Sequence, residues 1–145
     1  MKLHQLSVFL ENKRGQLSVP LKILACAGID IRTLSLADTE QFGILRLIVS
    51  DWQKAKAALE AEHCVVNVTE VVAIEVPDRP GGLTEVLRVI DDAAVDIEYM
   101  YAFTFQSGRA VLIFRFNDPD AAIEQLQKEG IEVVGSREFQ ESFPD

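Results

Sequence analysis

The sequence predicts an α+β fold of two tandem βαββαβ units, because the chain repeats itself and each copy shows the same order of strand and helix periodicity. A shift of 66 positions, which becomes 67 after one inserted residue, aligns residues of the same type over about 60 positions, among them Gly15 with Gly81, Leu17 with Leu83, Asp30 with Asp96, and Asp51 with Asp118. Such self-similarity is the signature of a duplicated unit. We therefore expect domains at residues 1–68 and 69–139, followed by a loose tail at 140–145.

In the first copy, the spacing of apolar residues predicts each strand and helix in turn. Alternating apolar residues at 6–10 predict a strand, and a turn follows at 12–15. Apolar residues at helical spacing from 17 to 28 predict a helix, in which Pro20 is tolerated because it lies in the first turn. Strands at 29–37 and 44–49, a helix capped by Asp51, and a last strand at 65–68 complete the unit.

The second copy repeats this order, with strands expected at 71–76, 95–105, 109–116 and 131–138 and helices at 83–94 and 118–129. A βαββαβ unit is ferredoxin-like: both helices lie on one face of an antiparallel sheet, and the other face is bare. The long second strands carry apolar residues on both faces, and exposed apolar surface costs roughly 25 cal/mol per Å². We therefore expect the two units to pack through their antiparallel sheets, and two chains to associate as a homodimer.

Composition excludes several classes of function. The formal net charge is −9, which disfavours contact with nucleic acid or an anionic membrane surface. No apolar run approaches the roughly 18 residues that span a bilayer, and the N-terminus lacks a signal-peptide pattern, so we expect a cytoplasmic protein. Cys26 and Cys64 form no CxxC pair and are expected to be reduced thiols.

The turn between the first strand and first helix is the segment in which the copies agree best. A glycine at this position permits a tight turn with outward N–H groups, and the helix that follows adds partial positive charge, a combination that favours a carboxylate. Asn12 and Asp78 in this turn, and Asp30 and Asp96 at the start of the second strand, offer oxygens for an ammonium group. The alternative is that D-R-P-G-G is ordinary turn chemistry.

These segments resemble a known family. The pattern V-x-D-R-P-G-G-L followed by A-x-V-D-I, and its counterpart L-E-N-K-R-G-Q-L with A-G-I-D-I, is similar to the ACT domain, an amino-acid-sensing module, and the resemblance extends from residue 3 to about 138. It implies a free amino acid bound at the interface between ACT units. Carried over by position, the ligand-binding residues are Asn12, Arg14, Gly15, Gln16, Leu17 and Asp30 in the first copy, and Asp78, Arg79, Pro80, Gly81, Gly82, Leu83 and Asp96 in the second.

The sequence departs from the family pattern at two points. Arg14 stands where the second copy has Pro80, and the residue that opens the second strand, often asparagine in this family, is aspartate in both copies. We therefore expect the two sites to differ in affinity.

Other motifs favour neither catalysis nor nucleic-acid recognition. No nucleophile motif or phosphate-binding loop is present, and His4 and His63 stand outside any ligand frame, so we expect no enzyme activity, no metal and no cofactor. The aromatic residues at 99, 101, 103 and 105 share one strand face, as in RNA-recognition domains, but the RNP1 string is missing. The predicted function is amino-acid-sensing regulation; the alternative is a ligand-free subunit that docks on an enzyme of amino-acid metabolism.

Overall fold

The computed structural model describes residues 1–38, 40–106 and 108–143, with the side chains of Phe105 and Gln106 outside the description. The chain divides into two units. We call His4–Thr69 the first unit, and Met1–Leu3 together with Glu70–Asp145 the second unit. The order βαββαβ occurs twice along the chain, so the predicted fold class is confirmed.

The first unit is formed by β1 (Leu3–Glu11), α1 (Ser18–Cys26), β2 (Ile31–Asp38), β3 (Phe42–Val49), α2 (Trp52–Ala61) and the beginning of β4 (Val65–Pro77). Its strands lie in the order β2-β3-β1-β4, so that β2 is an edge strand. The carboxylate of Asp51 accepts a hydrogen bond from the backbone N–H of Lys54 at 3.1 Å and caps α2 as expected.

The second unit is formed by the rest of β4, α3 (Gly82–Asp92), β5 (Ile97–Gln106), β6 (Arg109–Phe116), α4 (Pro119–Lys128), β7 (Val133–Val134) and α5 (Ser136–Glu141). Its strands lie in the order β7-β4-β6-β5. Asp118 caps α4 through the N–H of Ala121 at 3.1 Å, which repeats the Asp51 cap.

Each unit has its own core between the helices and one face of the sheet. In the first unit, alternate residues of β1 and β3, such as Leu6, Val8 and Leu47, pack against Leu24 and Leu59 from the helices. The second core uses the equivalent positions and adds aromatic residues: Val72, Ile74, Ile90, Leu126, Phe114 and Phe116. Because one face of each strand is buried, the period-two pattern could be detected in the sequence.

Two strand predictions are wrong. The expected strands 65–68 and 71–76 form one strand, β4, because the residues between them include no glycine or proline to turn the chain. The expected strand 131–138 is reduced to Val133–Val134, and the chain continues as α5. The extended backbone at Gly135 separates them, and α5 buries Phe139.

Helix α5 also corrects the expectation of a loose tail at 140–145 for residues 140–143, while 144 and 145 lie outside the described residues. Gln140 and Glu141 belong to the helix, and Phe143 packs its ring 5.1 Å from that of Phe139. Both rings contact Phe103 of β5, with centroids 6.1 and 6.2 Å away. Phe103 pairs with Val111 on the sheet face opposite to α3 and α4. The C-terminal segment therefore covers part of the sheet face that the sequence suggested would be bare.

No helix among the residues that the structure describes is long and apolar enough to cross a membrane.

Candidate functional site

The glycine turns of the two units have the same backbone geometry. Gly15 and Gly81 both have φ of +87°, a left-handed conformation that favours glycine. The N–H of Asn12 donates to the carbonyl of Gln41 at 2.9 Å, and the N–H of Asp78 donates to that of Gly108 at 2.8 Å. Each turn is thus tied to the hairpin that joins the second and third strands of its unit.

A cleft lies beside each glycine turn, between the turn, the start of the following helix and that hairpin. The cleft of the first unit has a volume of about 290 Å³ and that of the second about 250 Å³. The first is lined by Leu10, Glu11, Asn12, Lys13, Leu17, Leu36, Asp38 and Gly43. Under the 66 and 67 residue shifts, all eight have their counterparts in the second cleft: Val76, Pro77, Asp78, Arg79, Leu83, Ala102, Thr104 and Ala110. We call these the paired clefts.

Each of the paired clefts combines a cation, an acid and an apolar wall. In the first, Lys13 and Asp38 flank Asn12, whose side-chain amide donates to the Asp38 carboxylate at 3.5 Å. In the second, Arg79 stands beside Asp78, whose carboxylate accepts a hydrogen bond from the Thr104 hydroxyl at 3.5 Å. The apolar walls are exposed, since Leu17, Leu36 and Leu83 are all accessible. A cation and an acid that line the same cleft match the carboxylate and ammonium groups of a zwitterion.

The two clefts differ in how their cation is held. The ammonium of Lys13 lies 2.8 Å from the carboxylate of Glu11, and this hydrogen-bonded contact lowers the pKa of Glu11. Pro77 replaces Glu11 in the second unit, so Arg79 has no acid at that position. The cation of the first cleft is thus held by an acid of its own turn, and the second turn has no acid at the equivalent position.

Asp30 and Asp96 lie at the other end of their own units. In the first unit, β3 begins at Phe42, opposite Glu11 next to the glycine turn, and ends at Val49, opposite Ile31. The seven residue steps from Phe42 to Val49 span roughly 23 Å. The backbone N–H of Asp30 donates to the Ser50 hydroxyl, and that of Asp96 to the side chain of Asn117, while both carboxylates are exposed. One unit alone does not bring its turn and its strand-opening aspartate together.

Several predicted site residues lie on the turn but not in the paired clefts. Arg14, Gly15 and Gln16 do not line the first cleft, and Pro80, Gly81 and Gly82 do not line the second. The last three border a separate open cleft of about 640 Å³, which Arg109 and Glu132 also line. In this cleft the guanidinium of Arg109 donates to the Glu75 carboxylate at 2.8 Å.

Sequence reasoning missed the residues that the hairpin contributes. Leu36, Asp38 and Thr104 complete the paired clefts but are separated from the glycine turn by more than 20 residues. Lys13 was also passed over, although it aligns with Arg79. Asp38 and Thr104 share a signal that the repeat alignment contains, a polar residue near the end of the second strand of each unit, whereas apolar Leu36 has no such signal.

Among the described residues, no group of histidine, cysteine, aspartate and glutamate side chains is arranged to hold a metal ion. His4 stacks on Trp52, with ring centroids 4.5 Å apart. Cys26 and Cys64 are free thiols.

Comparison with known proteins agrees with the paired architecture. The family model described as an ACT domain pair matches residues 1–142. The crystal structure of protein BT0572 from Bacteroides thetaiotaomicron is 39% identical, with a TM-score of 0.92 over 97% of this chain and 96% of that one. No curated protein matches the sequence significantly.

Two more distant structures share the fold. The ligand-free regulatory subunit of aspartate kinase from Thermus thermophilus is 17% identical, with a TM-score of 0.63 over 86% of this chain and 91% of that one. The corresponding subunit from Thermus flavus is 14% identical, with a TM-score of 0.60 over 88% and 93%. ACT domains are regulatory rather than catalytic modules, and their pairing is matched here over nearly the whole chain. The chain therefore belongs to the ACT domain pair family.

Proposed function

We propose that the protein is a regulatory sensor that binds a free amino acid in the paired clefts. The observation that carries the proposal is the duplicated cleft itself, in which eight wall positions correspond and each copy keeps a cation and an acid beside an apolar wall. Regulation by small molecules is the role expected of an ACT domain pair. A bound ligand would act by stabilising the conformation that binds it.

Each cleft is proposed as half of a site. Its apolar wall is exposed, and Asp30 or Asp96 can reach a ligand at the turn only from a neighbouring unit, since each lies at the far end of its own sheet. Completion by a second unit is consistent with the proposed homodimer. It also provides the means of regulation, because a ligand shared by two units favours their docked state.

The second cleft is proposed to be the tighter site. Arg79 is not paired with an acid at the position of Glu11, and a guanidinium binds a carboxylate with two parallel hydrogen bonds. In the first cleft the ligand must displace the Glu11 carboxylate from Lys13. This agrees with the expectation from the sequence that the two sites differ in affinity.

The test is a thermal-shift screen of the twenty amino acids at millimolar concentration, followed by calorimetric titration of any that stabilise the protein. Arg79→Gln should weaken binding by about tenfold or more, since it removes a charge-assisted hydrogen bond. Arg88→Gln is the matched control, because Arg88 lies on the surface of α3, outside both clefts. If no amino acid raises the melting temperature, or if both variants bind equally well, the proposal is wrong.

The regulated partner is proposed to be an enzyme of amino-acid metabolism. The proposed location is the cytoplasm, where an exposed free thiol such as Cys26 stays reduced. Pull-down with and without the stabilising amino acid tests the partner. If the same partner is captured with and without the amino acid, and Gly81→Val does not change this capture, the alternative is favoured, a docking subunit without sensing.

A further inference from the structure

The paired clefts contain the same hydrogen bond with its donor and acceptor exchanged. In the first cleft, the side-chain amide of Asn12 on the glycine turn donates to the carboxylate of Asp38 on the hairpin, at 3.5 Å. In the second, the hydroxyl of Thr104 on the hairpin donates to the carboxylate of Asp78 on the turn, also at 3.5 Å. Asn12 aligns with Asp78, and Asp38 aligns with Thr104. The contact between turn and hairpin is therefore common to both clefts, but the acid stands on opposite sides of it.

The paired clefts also differ in net charge. The first is lined by two acids, Glu11 and Asp38, and by one cation, Lys13, so its formal charge is −1. The second is lined by one acid, Asp78, and one cation, Arg79, so it is neutral. The first cleft thus has one acid more than its cations can balance.

The acid in excess is the one on the hairpin. The ammonium of Lys13 lies 2.8 Å from the carboxylate of Glu11, so the cation of the first cleft is neutralised within its own turn. Asp38 is then the acid without a matching cation in the lining of this cleft. At the same position the second cleft has the uncharged hydroxyl of Thr104.

The overall charge of the two units does not explain this difference, because it has the opposite trend. Residues 4–69 hold seven acidic and seven basic side chains, whereas the rest of the chain holds sixteen acidic and seven basic ones. The excess negative charge of the second unit would favour a cation in the second cleft. However, exposed charges farther away than about 8 Å are largely screened at physiological ionic strength, so the residues that line each cleft decide its preference.

We propose that the hairpin residue, Asp38 in one cleft and Thr104 in the other, determines which amino acids each cleft accepts. The first cleft selects an amino acid with a cationic side chain, which pairs with Asp38. The second selects an amino acid with an uncharged side chain, because a further charge there has no partner in the lining. The protein would then respond to two ligands of different charge.

This inference rests on the proposed function and deepens it. The α-ammonium group of either ligand is left for the strand-opening aspartate of a second unit, as in the proposed function. For amino acids with uncharged side chains, the second cleft remains the tighter of the two. The new element is the assignment of charge selectivity to a single position of the repeat.

The test compares ligands that differ in one charge. Arg79→Gln isolates the first cleft, because it weakens the second. In this variant, calorimetric titration compares lysine with norleucine, which lacks only the side-chain ammonium group. Lysine should bind at least about fivefold more tightly, the effect of one pair of unit charges about 4 Å apart even in bulk water. Arginine and its uncharged analogue citrulline should repeat the preference.

The internal repeat supplies the decisive variant. Asp38→Thr copies Thr104 into the first cleft and should remove the preference for lysine when it is combined with Arg79→Gln. Asp38→Asn removes the charge while keeping the shape of the side chain, and it carries the test if circular dichroism shows that Asp38→Thr does not fold. In Asp38→Thr with Arg79 intact, the second cleft should bind norleucine at least as tightly as lysine.

Glu62→Gln is the matched control. It removes one negative charge from the same unit, but Glu62 is exposed at the end of α2 and lines neither of the paired clefts. The inference is wrong if lysine and norleucine bind the first cleft equally well, if the preference survives loss of the Asp38 charge, or if Glu62→Gln lowers it as much. If no amino acid binds at all, the proposed function fails as well. Binding without any charge preference overturns the inference alone.

Discussion

Neighbouring glycines in the second glycine turn are required for different reasons. Gly81 has φ of +87°, but a Cβ there would meet nothing within 4 Å, so only backbone strain opposes a side chain. A Cβ on Gly82 would lie 2.6 Å from the carbonyl oxygen of Pro77, which is backbone and cannot rotate away. The first unit has Gln16 at this position, so the requirement for a glycine belongs to the second turn only.

Alanine substitutions should separate these two effects. Gly81→Ala should lower the free energy of unfolding by about 1–2 kcal/mol through left-handed strain. Gly82→Ala should cost about 2–3 kcal/mol through the close backbone contact. Gly135→Ala, where the nearest atom is 3.9 Å away and φ is negative, should stay within about 0.5 kcal/mol. Urea denaturation of the three variants is the measurement, and equal losses for Gly81 and Gly82 would contradict the close-contact argument.

The two cysteines should differ in reactivity toward an alkylating reagent, because their thiols differ in burial. Burial raises the pKa of the Cys64 thiol, and the nearby Glu62 carboxylate adds to the effect, whereas Cys26 is exposed at the end of α1. Because the thiolate is the nucleophile, iodoacetamide at pH 8 should modify Cys26 before Cys64. Peptide mass spectrometry gives both rates. In urea the rates should converge, and equal rates in the folded protein would show that burial does not protect Cys64.

Among the helices and strands, α5 contributes more to stability than its six residues suggest. Phe139 is 2% exposed and contacts both Phe103 and Phe143, so the helix buries an aromatic cluster on a sheet face that would otherwise be accessible. Phe139→Ala should therefore cost about 3 kcal/mol of unfolding free energy. It should also raise hydrogen exchange in β5, where Phe103 loses its cover.

Arg137→Ala is the matched control for α5. Arg137 lies on the same helix, but its side chain is 91% exposed and its pair with Glu141 is a surface contact worth well under about 1 kcal/mol. Thermal denaturation compares the two variants. If they lose equal stability, α5 is a surface helix and not part of the second unit's packing.

At the scale of the whole molecule, the sequence predicts topology well and long-range proximity poorly. The repeat could be detected because equivalent positions of both units face a core. The importance of Gly15 and Gly81 could be detected because other residues do not adopt their positive φ easily. The repeat predicts a break within β4, because the boundary between the two copies falls there, although no turn residue interrupts the strand. Helix α5 was missed because apolar residues at 131, 133 and 134 resemble a longer strand.

The candidate site shows the same limit. Asp30 and the first glycine turn are 15 residues apart, yet the helix between them carries the chain back to the opposite end of the sheet. Asp38 is farther along the chain from Asn12 but lies within 3.5 Å of it. Sequence distance carries no information on which end of a sheet a residue reaches; the direction of each connection decides that.

The uneven charge of the chain leads to a prediction about salt. The second unit holds sixteen acidic and seven basic side chains, and among its described residues four acids, Glu75, Glu98, Asp120 and Glu141, lie in ion pairs of 3.0 Å or less. Raising the salt concentration from 0.01 to 1 M shortens the screening length from about 30 to about 3 Å, which weakens repulsion among these acids. We expect the melting temperature of the second unit to rise by about 4–8 °C, the effect of about 1 kcal/mol in a domain of about 60–100 residues. Hydrogen exchange should locate the gain in α3 and α4, whereas α1 and α2 of the neutral first unit serve as the internal control. An equal gain in protection in both units would mean that salt acts on burial in general and not on the excess charge of the second unit.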